Sequence, residues 1–260
     1  MSRPRPPRGI VLYAGPSAID GQPIVVIANG FRVRSNNQKT GDMIQTWILR
    51  SDINPLKAIN TGADSSICGS CPLRGIIDAS QDKTVNRMRS CYVRTEQAPL
   101  AVWKAYHNGS YETYGPRRHR RWFKRRSIRL GAYGDPAAAP YAVWKSVLRH
   151  AKMHTGYTHQ WNDRRFWRFR RIVMASCQTV EESVRARSYG WRTFRVYMRG
   201  GPLAGEFPCP ASEEQGYRLT CAECGACDGS GANAQRASVA IQLHGAPSIR
   251  GSYKKVMAAT

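Results

Sequence analysis

The sequence predicts an α/β fold in which an N-terminal small β-subdomain precedes a partial (β/α) barrel that carries cysteine-rich metal loops. Three observations support this prediction. Apolar runs of strand length recur along the 260 residues. From about residue 127 they alternate with helix-like segments, which is the pattern of parallel βαβ units with right-handed crossovers. Seven of the eight cysteines lie within residues 68–91 and 209–227.

We expect three parts: a flexible basic arm (1–9), a β-rich part with helices and the first cysteines (10–126), and a βα-repeat part with the remaining cysteines (127–260). The β-rich part opens with β runs at 10–14, 23–28 and 43–50, separated by turn-like segments. Helices are expected at 82–94 and 98–107 because apolar residues recur there at helical spacing.

The βα-repeat part alternates strands and helices. Strands are expected at 127–133, 155–160, 172–177, 193–198 and 238–244, and helices at 137–153 and 179–189. Thr179 and Glu182 have the spacing of a capping box at the start of the second helix. Gly190 stands where a glycine commonly ends a helix. Five such strands do not by themselves distinguish an open sheet from part of a barrel.

The composition favours an anionic partner. Forty Lys and Arg against seventeen Asp and Glu give a net charge of +23, which attracts polyphosphates with salt-dependent affinity. A basic surface that serves only solubility is the alternative. The longest apolar runs are far shorter than the ~20 residues of a bilayer-spanning helix, and no signal-peptide pattern follows the charged N-terminus. We therefore expect a cytoplasmic protein without membrane contact.

The strongest metal signal is a set that we call the four-cysteine group: Cys209, Cys221, Cys224 and Cys227. The last three have C-x2-C-x2-C spacing, and Cys209 is followed by Pro210. Bacterial-type ferredoxin clusters use the same composition, although there the Cys-Pro follows the run. Four cysteines also satisfy a closed zinc site. The group predicts a [4Fe–4S] cluster, with zinc as the alternative and a purely structural role as the simplest reading of either.

A second set, the three-cysteine group, consists of Cys68, Cys71 and Cys91. Three thiolates would leave one iron of a second [4Fe–4S] cluster open to another ligand. A zinc site completed by a histidine or another cysteine is an alternative, and so is a redox-active pair. Cys177 ends an apolar strand, so we expect it to be a buried small hydrophobe, with a role as fourth ligand as the alternative.

Two segments combine arginines with aromatic residues, RRHRRWFKRRSIR at 117–129 and RRFWRFRR at 164–171. Arginines neutralise phosphates and exposed aromatic rings stack on unpaired bases, so the segments favour single strands or RNA over sequence-specific duplex. Alternatively the aromatic rings face the core, which is what we expect of Phe166 and Phe169. The predicted nucleic-acid contacts are Arg117, Arg118, Arg120, Arg121, Trp122, Lys124, Arg125, Arg126, Arg164, Arg165, Trp167, Arg168, Arg170 and Arg171.

Ligands of parallel α/β folds bind beyond the carboxyl ends of the strands. Asp135, His159 and His244 follow predicted strands, which makes them candidate catalytic residues. Tyr133 and Arg195 lie close to strand ends and are candidate cofactor-binding residues. Asp135 could instead cap a helix, and His159 could be a core histidine.

Several blocks of the sequence carry a resemblance: KTGDMIQTWILR, SSICGSCPLRG, LGAYGDPAAAPYAVW, GYTHQW, ASCQTVEES, GWRTFRV and CPASEEQGYRLTCAECGACDG. They resemble a family of phage- and mobile-element-encoded cysteine-rich proteins of largely unassigned activity, with relatives linked to iron–sulfur clusters on a radical-SAM-like barrel. The resemblance implies cluster ligands in the four-cysteine group and in the three-cysteine group. The radical-SAM motif C-x3-C-x2-C does not occur in this chain.

Three functions follow as hypotheses. The first is a phage- or plasmid-type iron–sulfur protein that binds nucleic acid through its arginine and aromatic segments. The second is a barrel oxidoreductase or radical-type enzyme with an open-site [4Fe–4S] cluster. The third is a zinc-stapled, non-catalytic binding or inhibitor protein that acts on a host protein.

Overall fold

A computed structural model describes residues 5–35, 37–78, 85–87, 89–231 and 236–259. Within these residues the strands are β1 (Gly9–Pro16), β2 (Pro23–Asn29), β3 (Met43–Arg50), β4 (Ile76–Asp78), β5 (Val85–Arg87), β6 (Glu112–Thr113), β7 (Ser127–Tyr133), β8 (Met153–Thr158), β9 (Met174–Cys177), β10 (Thr193–Tyr197), β11 (Glu206–Pro208) and β12 (Ser238–Gln242).

The helices of the described residues are α1 (Pro55–Thr61), α2 (Ser65–Cys68), α3 (Ala98–His107), α4 (Pro116–Phe123), α5 (Tyr141–Leu148), α6 (Val180–Ser188), α7 (Cys221–Cys224) and α8 (Pro247–Ala259). Short 3₁₀ segments lie at Pro72–Arg74, Pro136–Ala138, Gln160–Asn162, Arg164–Arg171 and Glu213–Gln215. No helix of the described residues is both long enough and apolar enough to cross a membrane.

Ten of the described strands form one open sheet in the order β11-β12-β10-β9-β8-β7-β3-β2-β1-β6. β1, β2 and β3 are antiparallel neighbours. From β3 onwards every pair is parallel, through β7, β8, β9, β10 and β12 to β11. The mixed α/β class is therefore confirmed, and the mostly parallel sheet does not close on itself within these residues. Because β3 pairs with β7, the N-terminal strands extend the same sheet.

Most of the predicted elements are present. The helix at 98–107 is α3, and the three early β runs lie within β1, β2 and β3. Thr179 and Glu182 form the predicted capping box of α6, and Gly190 follows that helix with a φ of 78°. Proline explains why the helix expected at 137–153 is shorter. Pro140 lacks an N–H and disfavours helical backbone before it, so a 3₁₀ turn precedes α5.

The prediction of a helix at 82–94 was wrong for the residues that can be compared. Val85–Arg87 form β5, which pairs antiparallel with β4, and residues 89–94 are not helical. Residues 82–84 and 88 lie outside the described residues. The segment is polar with isolated apolar points, so it offers a helix no continuous apolar face to bury.

Two clusters of buried side chains form the core. The larger includes Ile10, Ile24, Ile48, Ile128 and Trp144. The smaller contains Met174, Val196, Val239 and Ile241 from parallel strands, together with Cys209 and Cys227. Cys71, Cys91, Cys221 and Cys224 pack against this smaller cluster, and Cys68 packs against the larger one. Both cysteine groups therefore adjoin the smaller core.

Candidate metal centres

The four-cysteine group comes from two segments, Cys209 and the run 221–227, and backbone hydrogen bonds attach both to the sheet. Cys209 directly follows β11, and its backbone N–H donates to the carbonyl of Ala240 in β12 at 2.8 Å. The run 221–227 starts as α7, where Thr220 and Glu223 form a capping box. The carbonyl of Cys227 accepts from the N–H of Gly156 in β8 at 3.0 Å. Sheet pairing and helix capping thus bring Cys209 to the C-x2-C-x2-C run.

A loop remote in sequence supports the same run. The N–H of Cys221 donates to the carbonyl of Lys39 at 2.9 Å, and that of Ala222 to Thr40 at 3.0 Å. Gly225 ends α7 with a φ of 64°, a left-handed conformation that favours glycine. A Cβ there would lie 2.7 Å from the terminal methyl of Met153. The turn between Cys224 and Cys227 therefore needs glycine.

All four cysteines line one small cavity of about 10 Å³, which has room for about one water. The remaining lining is mostly apolar or backbone: Thr155, Tyr157, Pro210, Ala211, Gly225, Ala226 and Val239. Cys209 and Cys227 are buried, and Cys221 and Cys224 are partly buried. Among the described residues the lining contains no acidic, basic or histidine side chain, so the thiols are its principal metal donors.

Burial disfavours sulfur anions in this cavity, and two nearby cations oppose that effect. Burial raises the pKa of Cys209 to about 11, and the cation of Lys39 opposes that rise. Burial also raises the pKa of Cys221, against the nearby cations of Arg129 and Lys39. The pKa of Cys227 rises by burial and by the proximity of the other three cysteines. Thiolates next to Lys or Arg are stabilised, so these two cations favour the charge state that metals bind.

Within the part of the chain that the structure describes, no group of three or more His, Cys, Asp and Glu side chains could hold a metal ion as it stands. One tetrahedral ion would bring its sulfurs to roughly 3.8 Å from one another. Changing one χ1 rotamer moves a cysteine sulfur by about 3 Å. Metal binding therefore requires side-chain movement, while the donor types and their shared cavity suit a thiolate-bound metal.

The three-cysteine group is held by polar contacts with the loop that follows β8. Gln160 makes three of them: its amide nitrogen donates to the carbonyl of Cys68 at 3.1 Å, and its amide oxygen accepts from the N–H and from the hydroxyl of Ser70, both at 3.2 Å. The Ser70 hydroxyl also lies 3.1 Å from the carbonyl of His159. A Cβ on Gly69 would overlap Gln160. The C-x2-C loop is therefore fitted against residues 159–160.

His159, Asp135 and Gln178, from three neighbouring strand ends, meet beside Cys71. The Nε2 atom of His159 lies 3.9 Å from the sulfur of Cys71 and 3.2 Å from the amide nitrogen of Gln178. One carboxylate oxygen of Asp135 accepts from the N–H of His159 at 2.8 Å and from Gln160 at 3.1 Å. Burial lowers the pKa of His159 to about 4, so its imidazole is neutral at pH 7. Neutral imidazole is the form that binds metals.

Charged and phenolic groups also lie near these cysteines. Burial raises the pKa values of Cys68 and Cys71, and neighbouring cysteines add to both shifts. The pKa of Tyr133 is raised by burial and by Cys68, and its buried hydroxyl has no hydrogen-bond partner among the described residues. Asp64 is buried, with Arg74 at 2.7 Å and Arg89 at 3.6 Å. Tyr133, predicted to bind a cofactor, thus lies at the three-cysteine group.

The other predicted strand-end residues have structural contacts of their own. Asp135 also accepts from the N–H of Ala137 at 2.9 Å, as a cap would. Arg195 is buried and bonded to the buried carboxylate of Glu206 at 2.7 Å, so that ion pair engages its guanidinium. His244 stacks on Tyr92, with ring centroids 5.6 Å apart, and its Nε2 lies 2.7 Å from Nζ of Lys39. The predicted roles of these residues in catalysis or cofactor binding stay predictions.

The first basic segment forms α4 and the turn after it. Arg117, Arg118, Arg120, Arg121, Lys124 and Arg125 are exposed. Arg118 pairs with Glu112 at 2.8 Å, and the half-buried Arg126 pairs with Asp42 at 3.2 Å. Trp122 packs against the larger core with the guanidinium of Arg121 4.8 Å from its ring. Helix α4 therefore exposes its cations to solvent, while the ring of Trp122 is largely covered.

The second basic segment, 164–171, also has exposed arginines and covered aromatic rings. Its exposed members are Arg164, Arg165, Arg168 and Arg171. Phe166 and Phe169 are buried, which confirms the prediction that they belong to the core. Trp167 packs on Tyr189, with Arg164 5.4 Å from its ring, and Arg170 donates to the carbonyl of Tyr189 at 3.1 Å. Cys177 is fully buried, as predicted for a small hydrophobe.

Several residues of these sites were not predicted. Gln178 directly follows β9, so the strand-end rule that selected His159 would also have found it. Gln160 is next to His159, and Ser70 lies inside the C-x2-C motif. Lys39 carries no local signal, because only the fold brings it to cysteines that are far away in the sequence. Comparison with protein-family models, curated proteins and solved structures gave no match.

Proposed function

We propose that this protein is an iron–sulfur protein that binds nucleic acid, and that the four-cysteine group holds its cluster. The observation that carries the proposal is the cavity that Cys209 shares with Cys221, Cys224 and Cys227. A [4Fe–4S] cluster held by four thiolates is a redox-active or purely structural centre.

The pattern of the four cysteines favours a cluster over a single ion. A C-x2-C-x2-C run with a separate Cys-Pro is the composition of bacterial-type ferredoxin clusters. The four cysteines border one cavity. The cavity of about 10 Å³ is smaller than a cubane core of four irons and four sulfides, so cluster uptake would push the run 221–227 outward.

The metal half of the proposal is tested by anaerobic purification, with an absorption spectrum and quantitation of iron, sulfide and zinc. We expect about four irons and four sulfides per chain, with visible absorption that Cys224→Ser removes. Cys177→Ala is the matched control, because this buried cysteine lies outside both groups, and it should keep the iron. Colourless wild-type protein that contains only zinc would refute the cluster.

The nucleic-acid half is supported by the exposed cations of α4 and of 164–171. Arg117, Arg120 and Arg121 are exposed and have no carboxylate within ion-pair distance among the described residues. Since Trp122 and Trp167 are largely covered, the supported contact is with phosphates, and stacking on bases has less support. Phosphate contacts bind without sequence preference and weaken steeply with salt.

The test is retention of an oligonucleotide across a salt series. Replacing Arg117, Arg120 and Arg121 together by alanine should lower the slope of log affinity against log salt by about 2–3 units, at roughly 0.9 per phosphate contact. A variant with Lys57, Arg94 and Lys104 replaced by alanine removes the same charge from exposed positions elsewhere. Equal loss in both variants would show that only net charge matters and would contradict a binding site on α4.

A metal-dependent enzyme is the second candidate, and the location of the three-cysteine group favours it. Strands β3, β7, β8, β9, β10 and β12 are parallel and follow one another in chain order, an order that an open sheet and a partial barrel share. Cys68 and Cys71 follow β3, and Asp135, His159 and Gln178 follow the next three strands. Parallel α/β enzymes place their active sites at this edge. Consumption of adenosylmethionine by the reduced protein would support this candidate.

A further inference from the structure

We propose that His159 is the fourth ligand of the three-cysteine group, so that Cys68, Cys71, Cys91 and His159 bind one zinc-type ion. The inference deepens the proposed function and rests on it only in treating these cysteines as metal ligands. It divides the two groups chemically: a cluster at the four-cysteine group and a single ion at the three-cysteine group.

The distance between His159 and Cys71 is the first argument. Sulfur and nitrogen donors lie at about 2.3 Å and 2.0 Å from a tetrahedral zinc ion, which puts them roughly 3.5 Å apart. Nε2 of His159 and Sγ of Cys71 are 3.9 Å apart, too long for a strong hydrogen bond and close to this spacing. Donors on different irons of a cluster would be farther apart. Cys68 and Cys91 would complete the site by side-chain rotation.

The backbone around His159 is the second argument, because it is bonded to the cysteine loop itself. The His159 carbonyl and the side chain of Gln160 contact Ser70, which lies between Cys68 and Cys71. Gln160 also contacts the carbonyl of Cys68. The carboxylate of Asp135, buried below, accepts from both residues 159 and 160. Outer-shell bonds of this kind hold the ligands of metal sites in place.

The orientation of the imidazole is the third argument. The amide nitrogen of Gln178 can only donate, so at 3.2 Å it makes Nε2 of His159 the acceptor. That lone pair is on the atom nearest the sulfur of Cys71, and a metal ion bound there would replace the hydrogen bond from Gln178. An N–H on that atom would instead point a proton at the thiol or at the amide.

Competing carboxylates have cationic or backbone partners. One oxygen of Asp64 accepts from Arg74 at 2.7 Å, and the other lies 3.6 Å from Arg89 without a hydrogen bond among the described residues. One oxygen of Asp135 accepts two hydrogen bonds and the other caps residue 137. His159 instead has a ring nitrogen 3.9 Å from the sulfur of Cys71. A filled fourth position leaves no open site for adenosylmethionine.

The test is metal analysis of full-length protein purified anaerobically, followed by removal and reloading with Zn²⁺. We expect about one zinc per chain in the wild type. His159→Ala should bind Zn²⁺ at least roughly 10-fold more weakly, and His159→Cys should restore binding, because a fourth thiolate also completes a zinc site. His107→Ala is the matched control: this exposed histidine of α3 contacts Ser51 and Trp103, and its replacement should keep the zinc.

The outcomes separate this inference from the proposed function. Iron lost in Cys224→Ser with zinc unchanged supports both assignments. Zinc present in protein that lacks iron would leave the ligand assignment standing and refute the cluster. Full zinc in His159→Ala, or about eight irons per chain, would overturn the ligand assignment. Because His159→Cys keeps a ligand at this position, its zinc content shows whether loss in His159→Ala is loss of a donor or of the fold.

Discussion

The two cysteine groups adjoin the same small core, yet their surroundings differ in chemistry. The four-cysteine group lines a mostly apolar cavity with Lys39 and Arg129 nearby. The three-cysteine group faces buried carboxylates, an imidazole and two glutamine side chains that are bonded to one another. Cysteine spacing alone would treat both as metal sites of one kind. The comparison teaches that the residues around the sulfurs decide what each group can hold.

The difference in charge matters most. Four thiolates concentrate negative charge, which cations offset at the four-cysteine group. At the three-cysteine group the cation of Arg89 is accompanied by the carboxyl groups of Asp64 and Asp135, and burial raises the pKa of each carboxyl. A neutral histidine adds a donor without adding charge. The second environment therefore suits three thiolates and one imidazole better than four thiolates.

We expect Gln160→Ala to separate the two groups most strongly, by lowering zinc affinity without changing the iron content. This change removes the bonds from residue 160 to Cys68, Ser70 and Asp135. Loss of such outer-shell support typically lowers metal affinity roughly 10–100-fold. Competition with a chelator should show this loss for zinc while the iron content stays at the wild-type level. Equal loss of both metals would mean that the two groups form one cooperative unit.

Two glycine substitutions should also distinguish the two cysteine groups, with a smaller effect on metal content than Gln160→Ala. Gly69→Ala and Gly225→Ala each place a side chain on left-handed backbone, at roughly 1–2 kcal/mol, and each Cβ meets a neighbour. We expect the first to lower zinc content and the second to lower iron content. Gly109→Ala is the control, since its φ is 66° with open space around it. Thermal unfolding and metal analysis are the measurements. Iron loss in Gly69→Ala together with zinc loss in Gly225→Ala would contradict the assignment.

The smallest expected difference is in pH dependence. Burial raises the pKa values of Cys209, Cys227, Cys68 and Cys71, so these thiols are protonated in the metal-free protein at pH 7. Metal binding must release the protons, and affinity falls as pH falls. Titration with Co²⁺ should give slopes of log affinity of up to about four per pH unit at the four-cysteine group and about three at the other. Equal slopes would argue for equal numbers of thiolates.

Much of the fold could be predicted from local patterns. The capping box of α6 depends on residues three apart, and α3 on an apolar face at helical spacing, so both were readable directly. β5 was mistaken for part of a helix because its pairing with β4 is a contact between separate segments. The aromatic rings of the basic segments were ambiguous for the same reason, since burial depends on what packs over them.

The sequence by itself determined the α/β class, the basic charge and the two sets of cysteines, because periodicity, composition and short spacings are local properties. Only the tertiary structure decided that Cys209 shares a cavity with the cysteine run that begins twelve residues later in the sequence. It also decided that His159 lies against Cys71, although 88 positions separate them in the sequence. The physical reason is that parallel strands put residues distant in the chain at one edge of a sheet. The chemistry of a site depends on those neighbours.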